Sequence, residues 1–343
     1  MKHRIDQFET IWKDAPSFRK KQFQEALFSE TFFDFQSISV FPQEKKDAMT
    51  ESIFWMMWKK EYVFSGKKND TYKALLVSLD DGVRIETVLM KNARGHWTVC
   101  VSSQVGCAMK CSFCATGTMG FSRNLSCDEI IDQYRFWKLF LRENAIEGKI
   151  TNIVYMGMGE PLANYEEVRS SLQIFLEYAG IGITRITVST VGMIPILHKI
   201  LEDPLWPSVR LAVSLHSADE KTRKNLMPTS YDGFLEDLFL WAKKYFLIYP
   251  ERRRHLTFEY VVLGEINDTE EHAKKLSLFA KRLGNVRINL IPWNSTGTHF
   301  HPSVRVEAFQ TSLKKKGVIT IIRRTMGEDI DGACGQLVVQ KKS

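Results

Sequence analysis

No apolar run in this 343-residue chain reaches the roughly 18 residues that a membrane-spanning helix needs. The opening Met-Lys-His-Arg-Ile-Asp-Gln-Phe has no apolar signal core. Low-complexity tracts and internal sequence repeats are absent, and cysteine is scarce, at six residues. These absences argue against a membrane protein and against a disulfide-stapled secreted scaffold. The expectation is a cytoplasmic protein whose thiols are reduced or metal-bound. Charge is not heavily one-sided either: a net +7 permits nucleic-acid binding without demanding it. A second Cys-x-x-Cys, or a His-x-x-x-His at zinc-finger spacing, is also missing.

That last absence sharpens what is present. Cys107, Cys111 and Cys114 lie within Val105-Gly-Cys-Ala-Met-Lys-Cys-Ser-Phe-Cys-Ala-Thr-Gly117. A structural zinc site closes a tetrahedron with four protein ligands. A cluster that only carries electrons takes a fourth thiolate. Three thiolates can instead hold three corners of a [4Fe-4S] cube and leave the fourth iron open to a substrate or cofactor. Zinc and free thiols are the alternatives that spacing alone leaves. Cys-x-x-x-Cys-x-x-Cys resembles the signature of the radical S-adenosylmethionine (SAM) enzymes. The resemblance implies SAM on the open iron, cleaved by one electron to a 5′-deoxyadenosyl radical.

The chain is long enough for one large core and a smaller appendage. Residues 1–72 read as a helical accessory domain, from Phe18, Phe23, Ala26 and Leu27 at helical spacing and the apolar stretch Ile53 to Trp58. Residues 73–92 read as a β-hairpin about Asp81-Gly82. Over 93–329 short apolar strands (97–103, 151–156, 185–190, 209–215, 256–263, 286–291) alternate with helices (126–142, 164–178, 193–202, 232–246, 269–283), and a helix at 303–316 and a strand at 318–323 follow. Such alternation implies parallel βα units, hence an α/β fold: a partial (β/α)6 barrel whose working face is the C-terminal ends of its strands. Residues 330–343 form a C-terminal loop.

The informative polar residues fall at those ends. Gly157-Met-Gly-Glu-Pro161 ends the second strand, where Gly159 allows close backbone approach and Glu160 offers a carboxylate to an ammonium group. Taken alone it is a glycine-rich turn. Ser189 and Ser214-Leu215-His216 end the next two strands, as ribose or carboxylate contacts or as helix caps. Asn294 follows the sixth strand with an amide able to read an adenine edge, or serves as a turn residue. Cys334 sits between Gly332 and Gly335, whereas Cys100 and Cys127 read unaided as structural. Basic runs at Arg19–Lys21, Lys59-Lys60, Lys67-Lys68, Arg252–His255, Lys314–Lys316 and Arg323-Arg324 read singly as solvated faces, and together fit a polyanionic substrate.

Taken in order, several segments resemble the RlmN/Cfr family of RNA adenine methyltransferases, over roughly residues 72 to 337. They are Val101–Cys107, Cys111–Gly117, Gly120–Leu125, Met156–Leu162, Ser214–His216, Ile291–Asn294 and Asp329–Leu337. The resemblance implies two SAM molecules per turnover and a cluster on Cys107, Cys111 and Cys114. SAM contacts fall on Gly159, Glu160, Ser189, Ser214, Leu215, His216 and Asn294. It assigns Cys334 as the methyl-accepting cysteine, Cys100 as the thiol that closes a disulfide with it to release product, and Glu86 as a base. Read alone, Glu86 is an exposed strand carboxylate. The implied substrates are an adenosine of 23S rRNA and, for some members, one 3′ of the tRNA anticodon. Flexible or looped RNA lets such a base swing into a pocket. A monomer served by an electron donor such as flavodoxin is expected. Val105, Pro161 and Pro292-Trp293 favour the carbon-2 branch over the carbon-8 (Cfr-type) branch.

Overall fold

The computed structural model describes residues 3–284 and 286–339. The side chains of residues 252–254, within one of the basic runs, lie outside the described residues, as do residues 1–2 and 340–343 of the two expected terminal segments.

Three helices open the chain: α1 (Arg4–Ile11), α2 (Ser17–Phe28) and α3 (Gln43–Ser52). Pro16 and Pro42 stand immediately before α2 and α3, where a fixed φ suits the helix start. Phe8, Phe23, Phe35 and Phe41 are buried in a small aromatic core, with Phe8 and Phe23 centroids 4.7 Å apart. The helical expectation for residues 1–72 fails beyond α3. Residues Ile53–Met57 form no helix, and Trp58–Ser65 is a strand, β1. Lys59, Lys60 and Glu61 hid its alternation from sequence reading, and a bulge between Lys60 and Tyr62 breaks the period.

β1 pairs with β2 (Thr71–Ser78), β2 with β3 (Arg84–Lys91), and β3 with β4 (Trp97–Cys100), all antiparallel. The expected hairpin is therefore the middle of a meander. From β4 onward the sheet is parallel through β7 (Ile150–Tyr155), β8 (Ile186–Thr190), β9 (Arg210–Ser214), β10 (Leu256–Val262), β11 (Arg287–Pro292) and β12 (Ile319–Ile322). Connecting helices are α5 (Cys127–Glu143), α6 (Tyr165–Tyr178), α7 (Ile194–Glu202), α8 (Glu220–Leu226), α9 (Phe234–Ile248), α10 (Glu270–Leu283) and α11 (Val306–Lys315). Between β4 and α5 the cysteine loop carries a short helix, α4 (Ala115–Thr118), and a two-stranded ribbon, β5 (Gln104–Gly106) with β6 (Phe121–Asn124). These small elements and α8 are additions to the sequence reading. Each is too short and too polar to set up a period.

Strand alternation fixes two faces. Leu89, Val99, Ile153, Tyr155, Val188, Leu211 and Val213 point outward under the helices and are fully buried. Met90, Thr98, Cys100, Val154 and Met156 point inward and line a cavity of about 180 Å³. Helix α5 carries a capping box: Ser126 accepts from the Glu129 amide, and the Glu129 carboxylate accepts from the Ser126 amide at 2.8 Å. Its buried face packs on the sheet, and Trp137 Nε1 donates to Thr87 Oγ1. The ten-stranded sheet runs from β1 to β12 and remains open. The C-terminal segment crosses the gap, with Asp329 accepting from the Lys67 amide at 2.7 Å and Val338 N donating to Glu86 Oε2 at 3.0 Å.

Candidate active site

The cysteine loop leaves β4 at the barrel mouth. Cys107 N donates to Gly120 O, and Cys114 N to Cys111 O at 3.2 Å, which curls the loop. A Cβ on Gly117 would stand 2.8 Å from the Cys111 carbonyl, so the tight turn requires glycine. Burial raises all three thiols, Cys107 to about 11, and Cys111 is raised further by its neighbours Cys114 and Cys107. Thiols that repel one another's negative form are suited to a shared cationic centre, which would draw off their protons. Among the described residues no three His, Cys, Asp or Glu side chains converge as one ion would require. A cube asks for less, because it spreads its three protein ligands over separate irons. The donor set fits an open-corner cluster and not a closed zinc site.

The strand-end residues gather around this loop. Phe113, between Cys111 and Cys114, meets the His216 ring edge-on at 4.7 Å and accepts from Trp293 Nε1. His216 is buried, and its Nδ1 accepts from Val261 N at 3.0 Å; burial and nearby Arg223 lower its pKa to about 3, so the ring is neutral. Ser189 and Ser214 are half-buried at the ends of β8 and β9, with Leu215 fully buried beyond. Gly159 has φ +99°, and a Cβ there would lie 2.5 Å from Gln104 Cβ. That turn delivers Glu160, whose amide donates to Gln104 Oε1 and whose carboxylate accepts from Leu162 N and Val191 N. Burial raises the Glu160 carboxyl to about 7 against those hydrogen bonds.

Arg223 belongs to this site and was not read from sequence. It is 1% exposed, donates to Val191 O at 2.8 Å and Ser214 O at 3.2 Å, and stacks on Phe234, while its Nε has no partner among the described residues. Cys111 is the thiol whose charge it feels most. A buried cation among carbonyls and thiols marks a place prepared for negative charge.

The second group of residues lies where the C-terminal segment meets the inner sheet face. Asn294 Nδ2 donates to Cys334 O at 3.2 Å, Ala115 N to Gly335 O at 2.7 Å, and Thr116 Oγ1 to Leu337 O at 2.6 Å. Asn294, expected against the cofactor, is thus also a support for the Cys334 loop. Cys334 is an exposed free thiol and shares the inward cavity with Cys100, also free but buried. Burial pushes the Cys100 thiol up to about 12, Cys334 adds to this, and Arg323 opposes it. Cys334 also acts on Cys114, so it lies within electrostatic reach of both Cys100 and the cluster loop. Glu86 is not the exposed carboxylate that its strand position alone suggests. It is 4% exposed, ion-paired with Lys73 Nζ at 3.1 Å, and holds Val338 N; burial raises its pKa while Lys73 pulls it down. Lys73 and Arg323, the latter bound to Glu259 at 3.2 Å, were missed as site residues. A lysine in a strand reads as surface until the register is known. Cys127 lies apart at the buried start of α5.

A parallel barrel with a three-cysteine loop after its first parallel strand defines a class. The sequence model of the Radical SAM superfamily matches residues 101–276, and the chain belongs to that superfamily, which implies an iron–sulfur cluster and SAM. The chain is also 41% identical over 291 residues to the dual-specificity RNA methyltransferase RlmN of Buchnera aphidicola, covering 82% of this chain and 79% of that protein. It is 38% identical over 331 residues to the probable dual-specificity RNA methyltransferase RlmN of Aquifex aeolicus, covering 94% and 92%. A crystal structure of a radical SAM methyltransferase from Sphaerobacter thermophilus superposes with a TM-score of 0.87 at 33% identity, covering 96% of each chain. Within the superfamily, the chain belongs to the RlmN family.

Proposed function

We propose that this protein methylates carbon 2 of an adenosine in RNA, with 23S rRNA as substrate and the adenosine 3′ of the anticodon in tRNA as a second one. The relatives' name, dual-specificity RNA methyltransferase, supports an RNA substrate. One observation carries the chemistry: Cys334 is held by Asn294 between Cys100 and the cluster loop. That position suits a thiol that accepts a methyl group, presents it to a radical, and is then released by a second thiol.

Carbon 2 of adenine is an electrophilic amidine carbon with no lone pair, so it cannot attack a sulfonium methyl directly. A protein-bound methyl carrier answers that difficulty. Cys107, Cys111 and Cys114 would hold a [4Fe-4S] cluster that, with SAM bound, supplies a hydrogen-abstracting radical. Glu160, Gly159, Ser189, Ser214, Leu215, His216 and Asn294 would orient SAM and shield it from water. Cys334 carries the methyl as a thioether next to the adenine ring; once it has lost a hydrogen atom to the radical, its carbon bonds to carbon 2, and the adduct gives back the single electron spent in making the radical. Glu86, buried beside Lys73, removes the ring proton. Cys100, as a thiolate, then bonds to the Cys334 sulfur; the sulfur–carbon bond breaks, its electron pair takes up a proton to complete the product methyl, and the Cys100–Cys334 disulfide that is left is reopened by a thiol reductant.

The test is anaerobic reaction with SAM and a reductant, followed by nucleoside digestion of 23S rRNA and mass comparison with 2-methyl- and 8-methyladenosine standards. 2-Methyladenosine is expected, with one methyl on Cys334 of the isolated protein and a trapped protein–RNA crosslink in Cys100→Ala. A dominant 8-methyl product would move the protein to the carbon-8 chemistry. An unmodified Cys334 during normal turnover would overturn the thioether route.

A further inference from the structure

The inner face of the barrel does not end at β4. Register carries it outward: Cys100 stands opposite Val88, Val88 opposite Lys73, and Lys73 opposite Phe64. One step along, Glu86 stands opposite Leu75, and Leu75 opposite Tyr62. Tyr62 and Phe64 therefore lie on the same sheet face as Cys100 and Glu86. Three strand spacings separate Phe64 from Cys100, about 14 Å, the length of about four stacked nucleotides.

These two rings are 42% and 43% exposed, with centroids 6.3 Å apart. Edge strands ordinarily carry charge or proline, which discourages unwanted pairing, and exposed aromatic pairs are a liability there. The bulge between Lys60 and Tyr62 turns both rings onto this face, leaving Lys60 on the opposite one. Lys73 Nζ lies 5.4 Å from the Phe64 centroid and orders that ring from beneath. Exposed lysines surround the pair, beside the exposed acids Asp329 and Asp331 of the C-terminal segment. Lys59, opposite Val77, shares the face, and Lys67 and Lys68 are exposed in the β1–β2 turn. Among the described residues, none of the three lysines is in an ion pair, while Glu61 is neutralised by Arg84 at 2.6 Å.

We propose that the exposed β1 edge of this face, with Tyr62 and Phe64 at its centre, is a stacking platform for the unpaired nucleotides flanking the target adenosine in RNA. Bases stack on such rings whatever their identity, and the lysines meet the phosphates. Between these rings and Cys100 the same face is covered: Lys73, Glu86 and Val88 are buried, Lys73 Nζ donates to Asp331 O and Glu86 accepts from Val338 N, so the platform is the exposed outer edge of that face. The inference rests on the RNA reading above.

The test uses the full-length, cluster-loaded protein and a 23S rRNA hairpin carrying the target adenosine in its loop. Binding is read by fluorescence anisotropy over a salt series. Tyr62→Ala and Phe64→Ala should each weaken binding on the order of tenfold, while Tyr62→Phe with Phe64→Tyr keeps it. Lys59→Ala, Lys67→Ala and Lys68→Ala should each lower the salt slope by about one. SAM cleavage without RNA and the thermal midpoint should be unchanged, which separates the effect from misfolding. Equal affinity of the alanine variants and the unaltered protein would overturn the platform while leaving RNA methylation intact. A change in oligomeric state instead of RNA affinity would also overturn it, assigning the face to a second copy. No RNA binding by the unaltered protein would overturn both readings.

Discussion

Glu160 illustrates how much one residue depends on its surroundings. Its sequence context offered a carboxylate beside a tight turn. The fold makes it a buried group that titrates near 7 instead of 4.5. A carboxyl raised in the folded state contributes stability that is full below the unfolded pKa and lost as pH rises through the folded one. The relevant window is thus pH 4.5 to 7, and the shift is worth about 3 kcal/mol. Comparing the cluster-free protein with Glu160→Gln by chemical denaturation should reveal this directly. The wild type should lose stability relative to the variant between pH 5 and 8; a constant difference would contradict the assignment. Arg223 poses the opposite case, a buried cation whose Nε has no partner among the described residues and which has Cys111 nearby. Replacing it with Gln should make a reconstituted cluster harder to reduce, and Arg223→Lys should restore most of the change. Potentiometric titration followed by electron paramagnetic resonance measures this. The cysteines were legible in sequence because their spacing is local. Arg223, Lys73 and Arg323 were not, because only the fold brings Arg223 to Cys111, Arg323 to Cys100 and Lys73 to Glu86.

At the scale of elements, the βα alternation was legible because each strand is a short apolar run and the helices between carry caps and a buried stripe. Helix α5 is the clearest instance, with Ser126 and Glu129 closing a reciprocal cap. Ser126→Ala should lower stability by about 1 kcal/mol, read as a shift in denaturant midpoint at unchanged slope. What failed was β1, an edge strand with charges at its start and a bulge in its middle. The element before it is a helix, α3, and nothing local announces the change. The C-terminal segment was read as a loop between glycines, but its docking is set by distant partners: Ala115, Thr116, Asn294, Ser295 and Glu86. Thr116→Val should leave the Leu337 carbonyl without its donor. Cys334 should then alkylate several-fold faster with iodoacetamide, followed by peptide mass spectrometry, whereas buried Cys127 should not change.

For the whole molecule, the question is why a three-helix segment stays fixed to a barrel. Apolar packing from Phe28 against Tyr134 contributes, but the junction also holds a buried charge network. Arg4 pairs with Asp132 at 2.7 Å and Asp128 at 3.1 Å. Asp132 also receives Arg135 at 2.5 Å and the Met57 amide at 2.6 Å. Arg135 in turn donates to the carbonyls of Leu27 and Trp55. Every member is buried, so the network adds less net stability than its contacts suggest, yet it tolerates no missing partner. Asp132→Ala leaves two buried guanidinium groups sharing Asp128 and an unpaired Met57 amide. Destabilisation of about 3–5 kcal/mol is expected. The damage should be local in kind: limited trypsin digestion of the folded protein should cut between α3 and β2 at rates well above wild type, because the backbone around the already exposed Lys59, Lys60, Lys67 and Lys68 loosens enough to enter the protease. The barrel cavity with Cys100 and Cys334 lies on the other face of the sheet, so the exposure of those two thiols should stay as in the parent. Faster cleavage spread over the barrel helices instead would mean that the network supports the whole fold and not the junction.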